Sequence, residues 1–289
     1  MIRDLVSILI PCYNHSSFIE RCLQSIINDT YPKKEIIIID DGSKDNSVQI
    51  IQKFIMEHSL SESECKLIQQ ENAGVVKTLN RLIDLANGEY ITLIASDDKL
   101  FENGIYKRVE FLKKTNYSAV IGNACVIDEY DNIIKQYASS QHFRGKLKNL
   151  LNEKKFYKEL LLQWCVAGPC LLLKSDVYKL IGKYDESFFV EDRDFYLRLI
   201  ENNLLGYLPD TIACYRVHGN NSTSANKKGI RIECARINIK HANSQKKLIY
   251  KYFLKSYTID LFLLNKNLNF LFNIHIIIRF VIVYLIRCF

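Results

Sequence analysis

Four consecutive isoleucines, Ile36 to Ile39, held between Glu35 and Asp40, are the most constraining stretch of this chain. A strand apolar on both faces must be covered by helices on both sides, a condition met in parallel α/β sheets. Val6 to Ile10 and Tyr90 to Ile94 read the same way. Between the first two runs, Ile19, Cys22, Leu23, Ile26 and Ile27 recur at helical spacing until Tyr31-Pro32 ends the pattern. Strand, helix and strand at this length predict a right-handed crossover and a parallel pair. The pattern repeats, with Val48, Ile50, Ile51, Phe54 and Ile55 as a helix face and Cys65 to Ile68 as a strand. Val76, Leu79, Leu82, Ile83 and Ala86 then mark a third helix, closed by Asn87-Gly88. The first hundred residues therefore predict a doubly wound, Rossmann-like α/β half, and such sheets bind ligands beyond the carboxyl ends of their strands.

Composition narrows the class. A chain of 289 residues with 48% hydrophobic and 25% charged residues is neither disordered nor fibrous. Only 11 Gly and 4 Pro leave no linker able to hold two modules apart, so one continuous body with an appendage is expected. Nine cysteines without a Cys-x-x-Cys pair indicate neither a zinc site nor a disulfide framework, and reduced thiols in a cytosol are the expectation. Asp4 and Pro11 interrupt the first apolar run too early for a secretory leader.

Three polar loops follow the strands: Pro11-Cys12-Tyr13-Asn14, Asp40-Asp41-Gly42-Ser43 and Ser96-Asp97-Asp98. Each alone is an ordinary turn or cap. Together they converge on one crevice, where adjacent carboxylates repel each other. A divalent cation with oxygen ligands, magnesium or manganese, relieves that repulsion and can also grip a diphosphate. Neither Gly-x-Gly-x-x-Gly after the first strand nor Gly-x-x-x-x-Gly-Lys-Ser/Thr anywhere is present, which argues against a dehydrogenase and a P-loop ATPase.

In the second half, an apolar stretch delivers Glu191-Asp192 to the start of a helix. Acids there are favoured by the helix dipole as simple caps. A carboxylate in a partly apolar mouth is also suited to be the general base for a sugar hydroxyl. Asp194 and Arg198, four apart, read as a surface pair. Arg216 and His218, beside Asn and Ser residues, are either satisfied loop residues or contacts for a diphosphate or metal.

The order Ser7 to Asn14, Ile38 to Asp45, Glu71-Asn72-Ala73-Gly74, Gly88-Glu89-Tyr90-Ile91, Ser96-Asp97-Asp98 and Glu191-Asp192 resembles the family 2 glycosyltransferases with the GT-A fold, over residues 4 to 223. The resemblance implies a mainly parallel α/β sheet flanked by helices, with a C-terminal helical appendage. It implies that Pro11, Tyr13 and Asp41 hold the nucleobase, usually uracil, that Asp97 touches the ribose, and that Asp98 ligates Mn2+ or Mg2+. Asp192 would be the catalytic base with Glu191 beside it, and His218 with Arg216 a late diphosphate or metal contact. Lys77 is the nearest base able to face the nucleotide. Many relatives carry an acid where this chain has Ala95, which leaves fewer protein ligands for a metal. The implied activity is inverting, metal-dependent transfer from a nucleotide diphosphate sugar, UDP-linked, to a glycan or polyprenyl-linked acceptor in bacterial surface polysaccharide synthesis such as O-antigen. Alternatives are a sugar nucleotidyltransferase, for which the Gly-rich loop is missing, and an inactive nucleotide-sugar-binding partner protein.

Residues 1–223 are thus read as the catalytic domain, with 1–100 as the nucleotide half and 101–223 as the acceptor half. Residues 224–289 change character, since Lys227, Lys228, Arg231, Arg236, Lys240, Lys246, Lys247, Lys251 and Lys255 face only Glu233 before Asp260. Such a run is a solvated helix face or is attracted to anionic lipid head groups. Nucleic acid ranks last, because the aromatic stacking motifs of RNA-binding modules are absent. Leu268 to Phe289 is largely apolar, and on a helix Asn269, Asn273, His275, Arg279 and Arg287 fall within an arc of roughly 160°. That arc suits a helix lying in a membrane interface, polar side to water, although a buried core helix reads almost the same. The expectation is peripheral attachment to the cytoplasmic face of the membrane.

Overall fold

Strand and helix alternate through the first hundred residues: β1 (Ile2–Cys12), α1 (Ile19–Ile27), β2 (Lys34–Asp40), α2 (Ser47–Glu57), β3 (Cys65–Gln69), α3 (Val75–Leu85) and β4 (Gly88–Leu93). The computed structural model describes residues 1–219, 221, 226–266 and 268–288. β1 pairs in parallel with both β2 and β4, and β2 with β3. The isoleucine run behaves as its pattern requires. Ile37 and Ile39 join Leu9, Ile91 and Leu93 on one side of the sheet, while Ile36 and Ile38 join Ile8, Ile10 and Tyr90 on the other. Two cores, one per face, follow from the two-residue period of a strand.

After β5 (Lys99–Leu100) and α4 (Gly104–Lys114) come β6 (Ala119–Ile127), β7 (Ile133–Lys135), α5 (Leu147–Leu150), α6 (Glu153–Leu162), β8 (Leu172–Lys174), α7 (Val177–Ile181), α8 (Glu191–Glu201) and β9 (Leu205–Arg216). The nine-stranded sheet runs β3-β2-β1-β4-β8-β6-β9-β5, with β7 beside β6. β8 enters antiparallel between β4 and β6, so the sheet is mixed where the two halves meet. The buried guanidinium of Arg108 fastens this seam, donating to Thr92 Oγ1 at 2.9 Å and to the carbonyl of Leu171 at 3.1 Å.

The C-terminal segment forms α9 (Lys227–Ala242), α10 (Leu248–Lys255), α11 (Tyr257–Asn265) and α12 (Asn269–Cys288). It is packed against the body. Ile237 of α9, Phe253 and Leu254 of α10, and Val283 and Ile286 of α12 share a core with Leu197 of α8 and with Phe188. Two sequence expectations are corrected here. Asp194 and Arg198 are not a surface pair: Asp194 is buried, and besides Arg198 it binds Lys240 at 2.8 Å and His241 at 2.9 Å, both from α9. The polar arc of the last helix does not face water as a unit either: Asn273 is exposed, but two of its members are not. His275 and Arg279 turn inward onto the buried Asp260 of α11, with His275 Nδ1 2.7 Å from its carboxylate and Arg279 donating at 2.5 Å. A buried carboxylate needs partners, and these two supply them. The side chains of Asn269 and Arg287 lie outside the described residues.

The first turn of α4 lies so close to β9 that a Cβ on Gly104 would meet the carbonyl oxygen of Ile212, part of the backbone. Gly104→Ala is expected to lower stability by about 1–3 kcal/mol through overpacking, read as a lower denaturant midpoint with an unchanged slope.

Candidate active site

The loops after β1 and β2 are stitched together by hydrogen bonds from backbone to side chain. Asn14, in the left-handed region at φ 54, donates its N–H to Ser43 Oγ at 2.9 Å, and its side chain accepts from Lys44 N at 2.7 Å. The next two amides donate to Ser47 Oγ and to the Asp45 carboxylate. Asn tolerates this backbone better than most residues and ties the turn locally. Gly42, at φ 79, lies where a Cβ would come within 3.0 Å of the amide nitrogen of Asn72. The result is a cleft of about 570 Å3 lined by Tyr13, Gly42, Lys44, Gln69, Gln70, Glu71 and Asn72.

Of the residues expected around the nucleotide, Tyr13 lines this cleft and is half exposed. Asp41 is buried behind the wall. Its carboxylate accepts from Gln70 Nε2 at 2.6 Å, Ala73 N at 2.8 Å and Gly74 N at 3.0 Å, so it shapes the Glu71-to-Gly74 loop. Pro11 sits half-buried within β1, and Lys77 is exposed in the first turn of α3. The cation that lines the cleft is Lys44.

The third loop separates its two acids. Asp97 is brought to His15 and His218. His218 Nε2 lies 3.0 Å from Asp97 Oδ2 and His15 Nε2 lies 3.8 Å away, while His15 Nδ1 is 2.7 Å from Ser96 Oγ. Donor atoms of these three residues all lie within 4.8 Å of one another, and they form the one such group among the described residues. Phe18 packs against the His218 ring, with centroids 4.6 Å apart. Burial pushes the Asp97 carboxyl up, but the His218 hydrogen bond and nearby His15 bring it below its ordinary value. Burial pulls His15 down, which favours the neutral imidazole a metal needs.

Asp98, expected as the metal ligand, is turned the other way. It is buried, its Oδ1 accepts the backbone N–H of Arg216 at 2.8 Å, and burial plus repulsion from Asp97 push its pKa well above the carboxylate range. The donor group contains Asp97 instead, which stands in the turn closed by the Asp98 N–H on the Ala95 carbonyl at 3.0 Å. Arg216, expected at the diphosphate, is also corrected. It is 0% exposed, with Nε donating to the Asp97 carbonyl at 2.7 Å and Nη1 reaching the Asp128 carbonyl at 2.8 Å and Asp131 at 2.5 Å. Its guanidinium lies inside the fold, where it fastens the acidic loop from behind.

The second acidic pair opens α8. Asp192 Oδ1 accepts the N–H of Arg193 at 2.6 Å and receives a hydrogen bond from Trp164. The Trp164 ring rests against Tyr196 and lies under the Arg193 guanidinium. Burial raises both acids, and Glu191, further raised by the Asp192 charge, is pushed up to about 8. α9 braces this helix along its length: Glu233 accepts the N–H of Phe189 at 3.0 Å, Asn238 accepts from Arg193 at 3.0 Å, and His241 bridges Asp194 and Glu201. Asp98 and Asp192 flank the same Trp164-to-Cys170 segment, Asp98 Oδ2 lying 4.0 Å from the Cβ position of Gly168.

Sequence reasoning missed His15, Lys44 and Trp164 as site residues. Lys44 stands inside the Ile38-to-Asp45 stretch without a role there, and the signal for His15 is its place, three residues beyond the end of a buried strand.

A family model described as Glycosyl transferase family 2 matches residues 7–181. The chain is similar to the glycosyltransferase GlyG of Streptococcus pneumoniae serotype 4, 36% identical over 141 residues, which are 48% of this chain and 46% of that protein. It is similar to the chondroitin synthase of Escherichia coli, 30% identical over 232 residues, 79% of this chain and 31% of that one. The match thus spans less than half the length of either relative. Among solved structures, TarS 1–349 of S. aureus in complex with UDP-GlcNAc shares the fold, with a TM-score of 0.64 and 18% identity over 90% of this chain and 72% of that one.

The raised Glu191 makes a pH test available. Its folded pKa of about 8 exceeds the ordinary 4.5, so the folded state holds a proton that the unfolded chain releases, and stability falls as pH rises between those values. Glu191→Gln is expected to remove that fall: equal to the parent in acid, the variant gains thermal stability over it with rising pH, and the gain levels off above the folded pKa. A constant difference across the range would exclude a protonated Glu191.

Proposed function

Because the chain belongs to glycosyl transferase family 2, we propose that it transfers a sugar from a nucleoside diphosphate donor, UDP-linked, to a hydroxyl of a glycan or polyprenyl-linked saccharide, with inversion at the anomeric carbon. The observation that carries this reading is the Asp97 carboxylate held between two imidazoles at the strand ends, with the Trp164-bound Asp192 on the far side of the same segment.

In this reading the base of the nucleotide lies in the cleft, where Tyr13 offers an exposed ring and Lys44 a cation. Asp41 acts by holding the cleft wall. Asp97, His218 and His15 would hold the divalent ion. A set of one carboxylate and two imidazoles fits manganese better than magnesium, whose shell is normally oxygen alone. When bound, such an ion neutralises the negative charge that grows on the diphosphate as the glycosidic bond breaks. Asp192 takes the proton of the acceptor hydroxyl while that oxygen bonds to the anomeric carbon and the diphosphate oxygen leaves. Trp164 favours the charged carboxylate that this role needs. The donor belongs to residues 1–100 and the acceptor to 101–223, with the segment from 224 bracing α8. Similarity to a chondroitin synthase supports a growing glycan as acceptor, within surface polysaccharide synthesis, and the basic C-terminal segment supports peripheral contact with a membrane. Among the described residues no helix is long and apolar enough to cross a membrane.

Incubation with manganese and a panel of UDP-sugars is expected to show release of UDP that rises with the right acceptor. Asp192→Asn should lower transfer roughly 10²–10⁴-fold, the range for loss of a general base, with UDP affinity in manganese unchanged by calorimetry. Asp97→Asn should lose the manganese-dependent part of UDP binding. Normal turnover by the first variant would remove Asp192 as base, and unchanged affinity in the second would remove Asp97 from the metal site.

A further inference from the structure

The last helix is inside out. Two of its charged residues, His275 and Arg279, are consumed by Asp260 within the fold, and Phe272, Val283 and Ile286 are buried beside them. Among the described side chains, the rest of the helix surface is apolar apart from Asn273. Phe270 is 77% exposed, Ile277 63% and Tyr284 61%, and Ile274 and Val281 complete the stripe at helical spacing. The neighbouring helices continue it, with Phe262 of α11 and Leu248, Ile249 and Tyr252 of α10 exposed. An apolar face of this extent on a helix normally marks a docking surface.

Charge decides what docks. Residues 227–289 hold twelve Lys and Arg against two acids, Glu233 and Asp260, and both acids are buried. The rim is correspondingly basic. Lys246, Lys247 and Lys255 are exposed around the apolar residues of α10, Arg231 lies over the Phe272 ring, and Lys146 lies over the Tyr284 ring. A second copy of the chain docking on this face by two-fold symmetry would set lysine against lysine across an apolar contact, with no exposed acid from this segment to offset it. An anionic bilayer supplies the opposite charge at its surface and an apolar layer just beneath. Aliphatic and aromatic residues can enter that layer while the lysines remain among head groups.

We propose that the joined outer faces of α10, α11 and α12 form a docking surface for an anionic lipid bilayer, with α12 lying in the plane of the interface on its Phe270-to-Leu285 face. The proposal rests on the reading of a transferase serving a membrane-side acceptor, and it gives that contact its residues and its direction. His275 and Arg279, which the sequence assigns to the water side, lock the helix to the protein.

The test is flotation of the full chain with vesicles of phosphatidylcholine alone and of phosphatidylcholine mixed with phosphatidylglycerol. Binding is expected to the mixed vesicles, to weaken with salt, and to fall roughly fivefold for each of Lys247→Glu and Lys255→Glu. Ile277→Asp should abolish it with thermal unfolding unchanged, since that side chain is exposed. Manganese-dependent UDP release to a soluble acceptor should persist in Ile277→Asp, so loss of docking and loss of transferase activity are read separately. Failure of the parent chain to float with the anionic vesicles would overturn the proposal. So would undiminished binding by Ile277→Asp, or a concentration-dependent dimer that Ile277→Asp dissolves without any vesicle binding.

Discussion

The site depends on one buried cation. Arg216 ends β9, has no exposed surface, and reaches into the loop after β4 and the turn after β6 at once. Burying a guanidinium is costly unless it is paired and hydrogen-bonded, and here two carbonyls and the Asp131 carboxylate engage Nε and Nη1, with the Phe18 ring 5.1 Å from its centre. Asp131 in turn is shared with Arg21 and Lys99. This network joins α1, the acidic loop and the far strands of the sheet. Its consequence is local and chemical: with the carbonyl of Asp97 held from behind and Asp98 engaged by the Arg216 amide, the Asp97 carboxylate has one direction left, toward the histidines.

The helical segment at the C-terminus contributes to the opposite wall. α8 begins with two half-buried acids whose burial works against ionisation, and such a helix start needs support from outside itself. α9 supplies it at three levels, through Glu233, Asn238 and His241. A catalytic carboxylate must be held within a fraction of an ångström to act as a base. The segment that reads as an appendage is therefore, in this structure, the brace behind α8, while its other side carries the outward apolar face.

Much of this architecture is legible without coordinates. The Ile36-to-Ile39 run, the helical spacing from Ile19 to Ile27 and the Gly88 turn place strands and helices where they are found, because burial on one face or two imposes a period that any reader can count. The crevice at the carboxyl ends follows from the winding. The family likeness, carried by six short stretches in order, agrees with the family model over residues 7–181. The placements that differ from expectation, Asp98 buried against the Arg216 amide, Arg216 as an internal clamp, and His275 and Arg279 of α12 turned inward, share one cause. Each depended on what stands across from a side chain.

Periodicity and strand-end chemistry, both properties of neighbours along the chain, determined the α/β class, the order of elements and the loops that meet at the crevice. Tertiary structure alone decided which of two adjacent aspartates faces His15 and His218, residues 82 and 121 positions distant from Asp97. It also decided that Asp260 claims Arg279 from the far helix. A pattern states which residues share a face. Only packing states what that face meets, because the energy of a buried charge is set by partners that the chain brings in from elsewhere.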